Sequence, residues 1–147
     1  MPQATAVSPQ ALIDAAKAPI EAFGRQNWDE VRSSLDSNFI YDEVPTGRKT
    51  RGAEESISLM QGWAQAFPDC KATFHDAFAS GTSVLLELTW KGTHQGPLQT
   101  PAGTIKPTGK SIEVRACMVN EMSGEKIRVQ RHYFDMATMY QQLGLTG

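Results

Sequence analysis

Apolar residues in the first 67 positions recur at the three- and four-residue spacing that is typical of amphipathic helices. A first helix is predicted from Pro9 to Gly24, with Ser8 as its N-cap. A second, shorter helix is predicted over 28–35, and a third over 53–67, where Pro68 ends it. Three helices are therefore expected in the first half of the chain.

The second half changes to the two-residue alternation of strands. Strands are predicted over 71–79, 82–93, 111–122 and 125–135. Gly81 and Gly124 mark hairpin turns between them. A further short strand is predicted over 39–42, a proline-rich loop over 95–109 and a last helix over 136–143.

Helices first and antiparallel strands afterwards are typical of an α+β fold, so we expect the three helices to cover one face of a curved sheet. A length of 147 residues suits one domain with its own core. Residues 1–8 are small and polar and are predicted to form a flexible tail. Residues 9–147 are predicted to form a single domain.

Charge and motifs exclude several classes of function. The net charge is −2 and the Lys and Arg residues are scattered, so no nucleic-acid-binding surface is expected. Cys70 and Cys117 lie outside any metal-binding spacing, and no phosphate-binding loop, HExxH or GxSxG motif occurs. No signal peptide or membrane-spanning run is evident. We expect a soluble, cytoplasmic protein without metal or cofactor, whose partners are small molecules or a second copy of itself.

The last predicted strand, over 125–135, carries the strongest lead to function because it ends on Asp135 just before a helix. An aspartate at the mouth of an apolar cavity can have a raised pKa and exchange protons with a small organic molecule. The same Asp135 could instead cap the helix. Alternation puts Arg131, Tyr133 and Asp135 on one face of the strand and Gln130, His132 and Phe134 on the other. Only one of these sets can line a cavity, unless a bulge shifts the register.

Five segments occur in a recognisable order along the chain. They are Asn27-Trp28-Asp29, Phe39-Ile40-Tyr41-Asp42, the run from Trp63 to Asp69, Pro107-Thr108-Gly109-Lys110, and the run from Tyr133 to Gly144. As an ordered set they resemble the SnoaL-like polyketide cyclase family, which belongs to the nuclear transport factor 2-like superfamily. The resemblance extends over almost the whole chain from about residue 10.

The resemblance implies a cone-shaped α+β barrel, in which a strongly curved, mostly antiparallel sheet wraps a helix and leaves a deep apolar pocket. It also implies a homodimer formed through the sheets. Characterised cyclases of the family close a ring by an intramolecular aldol reaction without cofactor or metal, with an aspartate as general acid and base. Other members have no known substrate, so the resemblance supports the fold more firmly than the reaction.

With the resemblance added, Asp135 is the candidate general acid and base, and His132 is the alternative for the same role. The candidate substrate-binding residues are Tyr133, Arg131, Trp63, Met60, Tyr41 and Arg115. Asp42 and Glu43, at the end of the short strand, resemble in position the base carboxylate of ketosteroid isomerase, a distant relative by fold. The first helix carries Phe23 and lacks the tyrosine of that enzyme, so the two carboxylates are interpreted as solvated charges. The candidate site is thus concentrated on the last strand and the third helix.

The leading hypothesis is a small cofactor-independent enzyme, similar to a lyase or isomerase, that performs aldol-type cyclisation or isomerisation on a hydrophobic carbonyl compound. The alternative is a non-catalytic module of the same fold that binds an apolar ligand or serves as a dimeric scaffold. The two hypotheses differ in what the cavity must contain. An enzyme needs a titratable side chain inside it, whereas a binding module needs only apolar walls and neutral hydrogen-bonding groups.

Overall fold

The structure is a computed structural model that describes residues 7–145. Its helices are α1 (Pro9–Gly24), α2 (Trp28–Ser33), α3 (Ala53–Ala66) and α4 (Met136–Gln142). Its strands are β1 (Leu35–Glu43), β2 (Arg48–Arg51), β3 (Lys71–Ser80), β4 (Ser83–Thr93), β5 (Leu98–Thr100), β6 (Gly103–Ile105), β7 (Ser111–Ser123) and β8 (Lys126–Phe134). No helix in the described range is long and apolar enough to cross a membrane.

The helix ends agree with the capping residues in the sequence. Ser8 accepts the backbone N–H of Ala11 and caps α1, as predicted. Asn27 accepts the N–H of Glu30 at the start of α2 in the same way. The predicted flexible tail over 1–8 lies outside the described residues except for Val7 and Ser8, so its flexibility stays a prediction.

Six strands form one curved sheet in the order β2-β1-β8-β7-β4-β3. Neighbouring strands are antiparallel except β1 and β8, which run parallel. The strands β5 and β6 form a separate two-stranded hairpin. This arrangement confirms the predicted α+β class and the mostly antiparallel sheet.

The hydrophobic core lies between the helices and the inner face of this sheet. Helix α1 lies against β3, β4, β7 and β8, while α3 lies against β1, β2 and β5. The apolar stripe of α1 enters the core through Leu12 and Ile20, which are almost completely buried. From the sheet, Phe39, Leu86 and Leu88 meet them with no exposed surface. Burial of these side chains holds the helices on the concave face.

The sequence pattern does not predict β2, β5 and β6. Strand β2 is an edge strand with the sequence Arg-Lys-Thr-Arg, of which only Thr50 is buried, so it lacks apolar alternation. Strands β5 and β6 are three residues long and lie between Pro97 and Pro107, where the prolines favour a loop. Short edge strands of this kind depend on pairing rather than on their own hydrophobic pattern.

A bulge in β3 changes which residues face the core. Simple alternation predicts Phe74 and Phe78 on one face, but the pairing with β4 shifts between Phe74 and Asp76. Beyond the shift, Ala77 and Ala79 pack against the core. Phe78 is consequently 56% exposed on the outer face.

The loop after β4 fixes the end of α3. The backbone N–H groups of Gln95 and Gly96 both donate to the carbonyl of Ala66. A Cβ atom at position 96 would collide with the carbonyl oxygen of Gln65, so only glycine allows this close approach. The loop thereby holds α3 where its inner side chains reach the interior.

Candidate functional site

An apolar cavity lies between the helices and the inner face of the sheet. Its walls come from α1, α3 and α4 and from β1, β4, β7 and β8, and a volume of about 80 Å³ is open to the centres of water molecules. A single water needs only about 10–15 Å³ on this measure, so a small organic molecule can enter. Among the residues that the structure describes, no Asp, Glu, Lys or Arg lines it.

Strand β8 directs Gln130, His132 and Phe134 into this cavity. The Nε2 atom of His132 accepts a hydrogen bond from the indole N–H of Trp90 at 3.1 Å, and Nδ1 lies 2.8 Å from the Tyr41 hydroxyl oxygen. An indole N–H can only donate, so Nε2 must carry the lone pair and the hydrogen of the neutral ring must lie on Nδ1. The contact with Trp90 thus assigns the tautomer of His132.

Tyr41 connects His132 to Glu43. With its hydrogen on Nδ1, the imidazole donates to the hydroxyl oxygen of Tyr41. The hydroxyl of Tyr41 in turn donates to Oε2 of Glu43 at 3.1 Å. The hydrogen bonds from Trp90 through His132 and Tyr41 to Glu43 therefore all run in the same direction. Each of these four side chains has a hydrogen-bond partner.

Glu43 is fully buried at the end of β1, where the pairing with β8 places it beside His132. The donors to its carboxylate are the Tyr41 hydroxyl (3.1 Å), Trp63 Nε1 (2.8 Å), Thr46 Oγ1 (2.7 Å), and Arg48 Nε (2.9 Å) and Nη2 (2.6 Å). Both oxygens thus accept several hydrogen bonds, as a buried carboxylate requires. The interpretation of Glu43 as a solvated charge is wrong, because the turn after β1 folds Arg48 back onto it.

Burial controls the protonation of the two ring-bearing groups. Burial lowers the pKa of His132 to about 4, and the negative charge of Glu43 acts in the opposite direction. The imidazole is therefore neutral at physiological pH. Burial also raises the pKa of Tyr41 well above its usual value, and the charge of Glu43 adds to this effect. Tyr41 accordingly remains a hydroxyl that can donate to Glu43.

A second polar group enters the cavity wall at Gln130, which lies opposite Asn120 on β7. The Nδ2 group of Asn120 donates to the carbonyl oxygens of Val84 at 3.3 Å and Met118 at 3.5 Å. Carbonyl oxygens only accept, so the side-chain oxygen of Asn120 must face Gln130, whose Nε2 donates to it at 3.0 Å. This network fixes the direction of both side-chain amides.

Asp135 lies outside the cavity. Its carboxylate accepts the backbone N–H of Thr138 at 3.0 Å and the Thr138 hydroxyl at 2.6 Å, and thereby caps α4. These hydrogen bonds lower the pKa of Asp135, as expected of a carboxylate that serves as a helix cap. The expectation that Asp135 faces the cavity is therefore corrected, and the capping alternative describes its position.

Three predicted substrate-binding residues also lie on the outer face of the sheet. Arg131 is 3.6 Å from the carboxylate of Glu121, and Arg115 is 3.8 Å from that of Glu87. Tyr133 is 43% exposed. The two-residue period of a strand is the reason, because Arg131 and Tyr133 alternate with the inward-facing residues of β8. Their placement corrects the expectation that they border the cavity.

The remaining predicted residues do line the cavity. Met60 and Trp63 reach it from α3, Tyr41 from β1 and His132 from β8. The sequence pattern does not distinguish Trp90 or Gln130 as site residues, and the fold adds both to this group. A carboxylate and an arginine five residues apart across a Pro- and Gly-containing turn were the available signal for Glu43. In the part of the chain that is described, no group of three or more His, Cys, Asp or Glu could hold a metal ion.

Comparison with known proteins agrees with this architecture. The model of the family described as SnoaL-like polyketide cyclase matches residues 13–143. A solved structure of a SnoaL-like protein from Jannaschia sp. CCS1 has a TM-score of 0.84 at 14% identity, covering 99% of this chain and 100% of that one. An LEH-like epoxide hydrolase from M. tuberculosis has a TM-score of 0.72 at 22% identity, with 92% and 90% covered.

A third similar structure is a protein of ketosteroid isomerase-like fold from Catenulispora acidiphila, solved in complex with trimethylamine. Its TM-score is 0.76 at 17% identity, with 90% of this chain and 94% of that one covered. At such identities the likeness shows the fold alone, which is the cone-shaped α+β barrel. No curated protein sequence matches the chain significantly.

Proposed function

Because the chain belongs to the SnoaL-like polyketide cyclase family, we propose that it is a small enzyme that moves a proton on a hydrophobic carbonyl compound in the cavity. His132 is the proposed general acid and base. The observation that supports this role is a buried imidazole, held in one tautomer, at the wall of an apolar cavity. An ionisable group with a perturbed pKa in such a cavity is typical of functional sites.

The composition of the cavity favours an uncharged substrate. Within the described range no Asp, Glu, Lys or Arg lines it. Glu43 lies behind Tyr41, and its carboxylate already has hydrogen-bond donors. A charged ligand group would lose its water here without gaining a partner of opposite charge. The proposed substrate is therefore a neutral, largely apolar molecule whose carbonyl group lies next to His132.

The proposed reaction begins at Nε2 of His132, which takes a proton from the carbon next to the substrate carbonyl and leaves an enolate. In the structure this nitrogen accepts the indole N–H of Trp90. The substrate must therefore displace that N–H, and the carbonyl oxygen of the substrate is a suitable new acceptor for it. One shift of the indole would free the base and stabilise the enolate oxygen.

The remaining steps return the same proton. In an aldol-type closure the enolate carbon attacks a second carbonyl of the substrate, and the imidazolium protonates the new alkoxide. In an isomerisation the proton returns to a different carbon. The positive charge on His132 is stabilised through Tyr41 by the carboxylate of Glu43. The proposed scheme uses side chains of this chain and no cofactor.

Exchange of carbon-bound hydrogen for deuterium tests the proposal without knowledge of the product. A panel of aryl ketones with acidic α-hydrogens, such as 2-tetralone, is incubated with the protein in D₂O and followed by proton NMR. The wild type should accelerate the exchange, and His132→Gln should lose about 100-fold or more of that acceleration. Asp135→Asn is the matched control and should keep the wild-type rate, because its carboxylate lies outside the cavity. Equal rates for wild type and His132→Gln would exclude His132 as the base.

A non-catalytic binding module is the second candidate, and one observation favours it. Both ring nitrogens of His132 and both oxygens of Glu43 already have partners within the described residues. A binding module would take up the same ketones without accelerating exchange in any variant. The fluorescence of Trp63 and Trp90, which both line the cavity, can measure uptake independently of turnover.

We also propose that two copies of the chain associate through the outer face of the sheet. Phe78, Leu85 and Val119 pair across three neighbouring strands and form an apolar row there. The ion pair between Arg115 and Glu87 lies on the same face, so a two-fold contact can match opposite charges. Light scattering should give twice the 16.1 kDa chain mass for the wild type and less for Phe78→Ser. A wild type that stays monomeric at high concentration would exclude this dimer.

A further inference from the structure

The cavity contains a hydrogen-bond acceptor that the described chain does not use. The Nε2 group of Gln130 is committed to Asn120, and Asn120 is committed in turn to two backbone carbonyl groups. The carbonyl oxygen of the Gln130 side chain is therefore the end that faces away from this network. Within residues 7–145, no donor pairs with Gln130 Oε1.

This oxygen has open space in front of it. In the described range, the one fully buried side-chain nitrogen or oxygen without a partner is Nε2 of His94, so Gln130 Oε1 is not sealed in the core. Gln130 is only 4% exposed and lines the cavity, so the open space is the cavity itself. A ligand that fills the cavity and excludes water must either pair with this oxygen or leave it unsatisfied.

We infer that Gln130 selects a substrate that carries a hydroxyl group, such as a phenol or an enol, and accepts a hydrogen bond from it. The inference rests on the proposed function in that the ligand occupies the same cavity. A ligand carbonyl or ether oxygen at this point would face another acceptor, whereas a hydroxyl hydrogen satisfies Oε1. Gln130 is thus a specificity-determining residue, and Asn120 positions it.

The geometry of β8 gives the separation between the two recognised parts of the ligand. Gln130 and His132 lie two residues apart on the same face of the strand. Each strand residue rises about 3.3 Å, so the two Cα atoms are about 6.6 Å apart. This distance is comparable to the span of one substituted six-membered ring. A ligand that pairs with both residues therefore carries its hydroxyl and its reacting carbonyl on opposite sides of a ring.

Three probes of matching shape test the inference in the wild-type protein by isothermal titration calorimetry. 4-Propylphenol supplies a donor, 4-propylanisole only an acceptor and propylbenzene neither. The phenol should bind about two- to tenfold more tightly than the other two, as expected for one net hydrogen bond. Equal affinities, or an anisole that matches the phenol, would overturn the inference and leave the proposed function standing. No binding of any probe would overturn both.

Gln130→Met connects the preference to this side chain, because methionine has a similar length and lacks the oxygen. The variant should lose the advantage of the phenol while keeping its affinity for propylbenzene. Gln61→Met, at an exposed position on α3, is the matched control and should keep the advantage. An advantage that persists in Gln130→Met would overturn the inference.

Gln130→Met leaves the side-chain oxygen of Asn120 without its partner and could fail to fold. The double variant Asn120→Leu/Gln130→Met avoids this, because it removes both partners of the buried hydrogen bond. It should show the same loss of the phenol advantage. A double variant that still prefers the phenol over propylbenzene by the wild-type factor would overturn the inference.

Discussion

Two carboxylates stand at the ends of neighbouring parallel strands and have opposite surroundings. Glu43, at the end of β1, has no exposed surface and accepts five hydrogen bonds. Asp135, just beyond β8, is exposed, and within the described chain its carboxylate accepts hydrogen bonds only from Thr138. Position along a strand therefore does not decide the role of a carboxylate. The face on which its side chain lies decides it.

The strand register explains this difference. Glu43 pairs with His132, so both side chains lie on the inner face of the sheet. Asp135 follows the inward-facing Phe134 by one residue and turns outward, where α4 begins. Neither carboxylate lines the cavity. The inner carboxylate can influence chemistry there through its charge and through its hydrogen bonds with Tyr41 and Trp63, and the outer one stabilises a helix.

Removal of the buried carboxylate should have the largest effect. Glu43→Ala leaves the guanidinium of Arg48 and the donors of Tyr41 and Trp63 without their acceptor. Loss of one partner of a buried ion pair costs about 3–5 kcal/mol of unfolding free energy. Urea denaturation at pH 7 measures this loss. A change below about 1 kcal/mol would contradict the anchoring role of Glu43.

Glu43→Gln separates the charge from the shape. The amide keeps the size of the side chain but removes the negative charge that acts to raise the pKa of His132. The pKa of His132 should therefore fall below its wild-type value of about 4, which NMR titration of the ring hydrogens can follow. A pKa of His132 that stays the same or rises would contradict this effect of the Glu43 charge.

Acidification should have the next largest effect on stability, and this effect should arise in the inner region around His132. The pKa of His132 is about 4 in the folded protein against an ordinary value of 6.5, so the unfolded chain binds the proton first. Wild-type stability should fall as the pH drops from about 6.5 to about 4, and this contribution should level off below. The full shift corresponds to about 3 kcal/mol. His132→Gln should remove this part of the loss, as measured by denaturation at pH 7 and pH 4.

A second histidine serves as a reference for this experiment. Burial also lowers the pKa of His94, so part of the acid loss should remain in His132→Gln. Identical pH profiles for wild type and His132→Gln would contradict the buried, neutral state of His132.

The sequence predicts the fold well because local patterns carry it. The spacing in α1, the caps Ser8 and Asn27 and the hairpin glycines each specify an element without tertiary contacts. β2 is missed because its burial pattern depends on its neighbour β1. Elements that rest on their own periodicity are thus predicted, and those that rest on pairing are not.

The site is harder to predict because alternation gives two faces and does not say which is inside. The outer face of β8 carries Arg131, Tyr133 and Asp135, and these groups look more suited to chemistry than Gln130 and Phe134 do. The inner face follows from pairing with β7, whose buried residues include Val114 and Met118. Glu43 is missed because its donors come from a turn and a helix, which no strand pattern relates to it.

Removal of the Asp135 carboxylate should lower the stability less than removal of Glu43 or protonation of His132 does. Asp135→Ala removes the acceptor for the N–H and hydroxyl of Thr138, so the first turn of α4 should fray. The melting temperature should fall by about 2–5 °C, and hydrogen exchange should accelerate in α4. The melting temperature of Thr138→Val should fall less, because this variant keeps the hydrogen bond from the backbone N–H of residue 138 to Asp135. A loss of ketone exchange as large as that of His132→Gln would contradict the outward position of Asp135.

Asp135→Asn should have the smallest effect, because its side-chain oxygen can still accept the N–H of Thr138. The variant lacks the negative charge of the carboxylate. In the wild type, the hydrogen bonds from Thr138 to that charge hold the pKa of Asp135 below 3.8. This contribution is present above pH 3.8 and is lost as the pH falls through the folded pKa. Wild type and Asp135→Asn should therefore differ slightly at pH 7 and converge as the pH falls below the folded-state pKa of Asp135. The loss from His132 is complete near pH 4, so stability curves of the two variants can separate the inner region from the outer one.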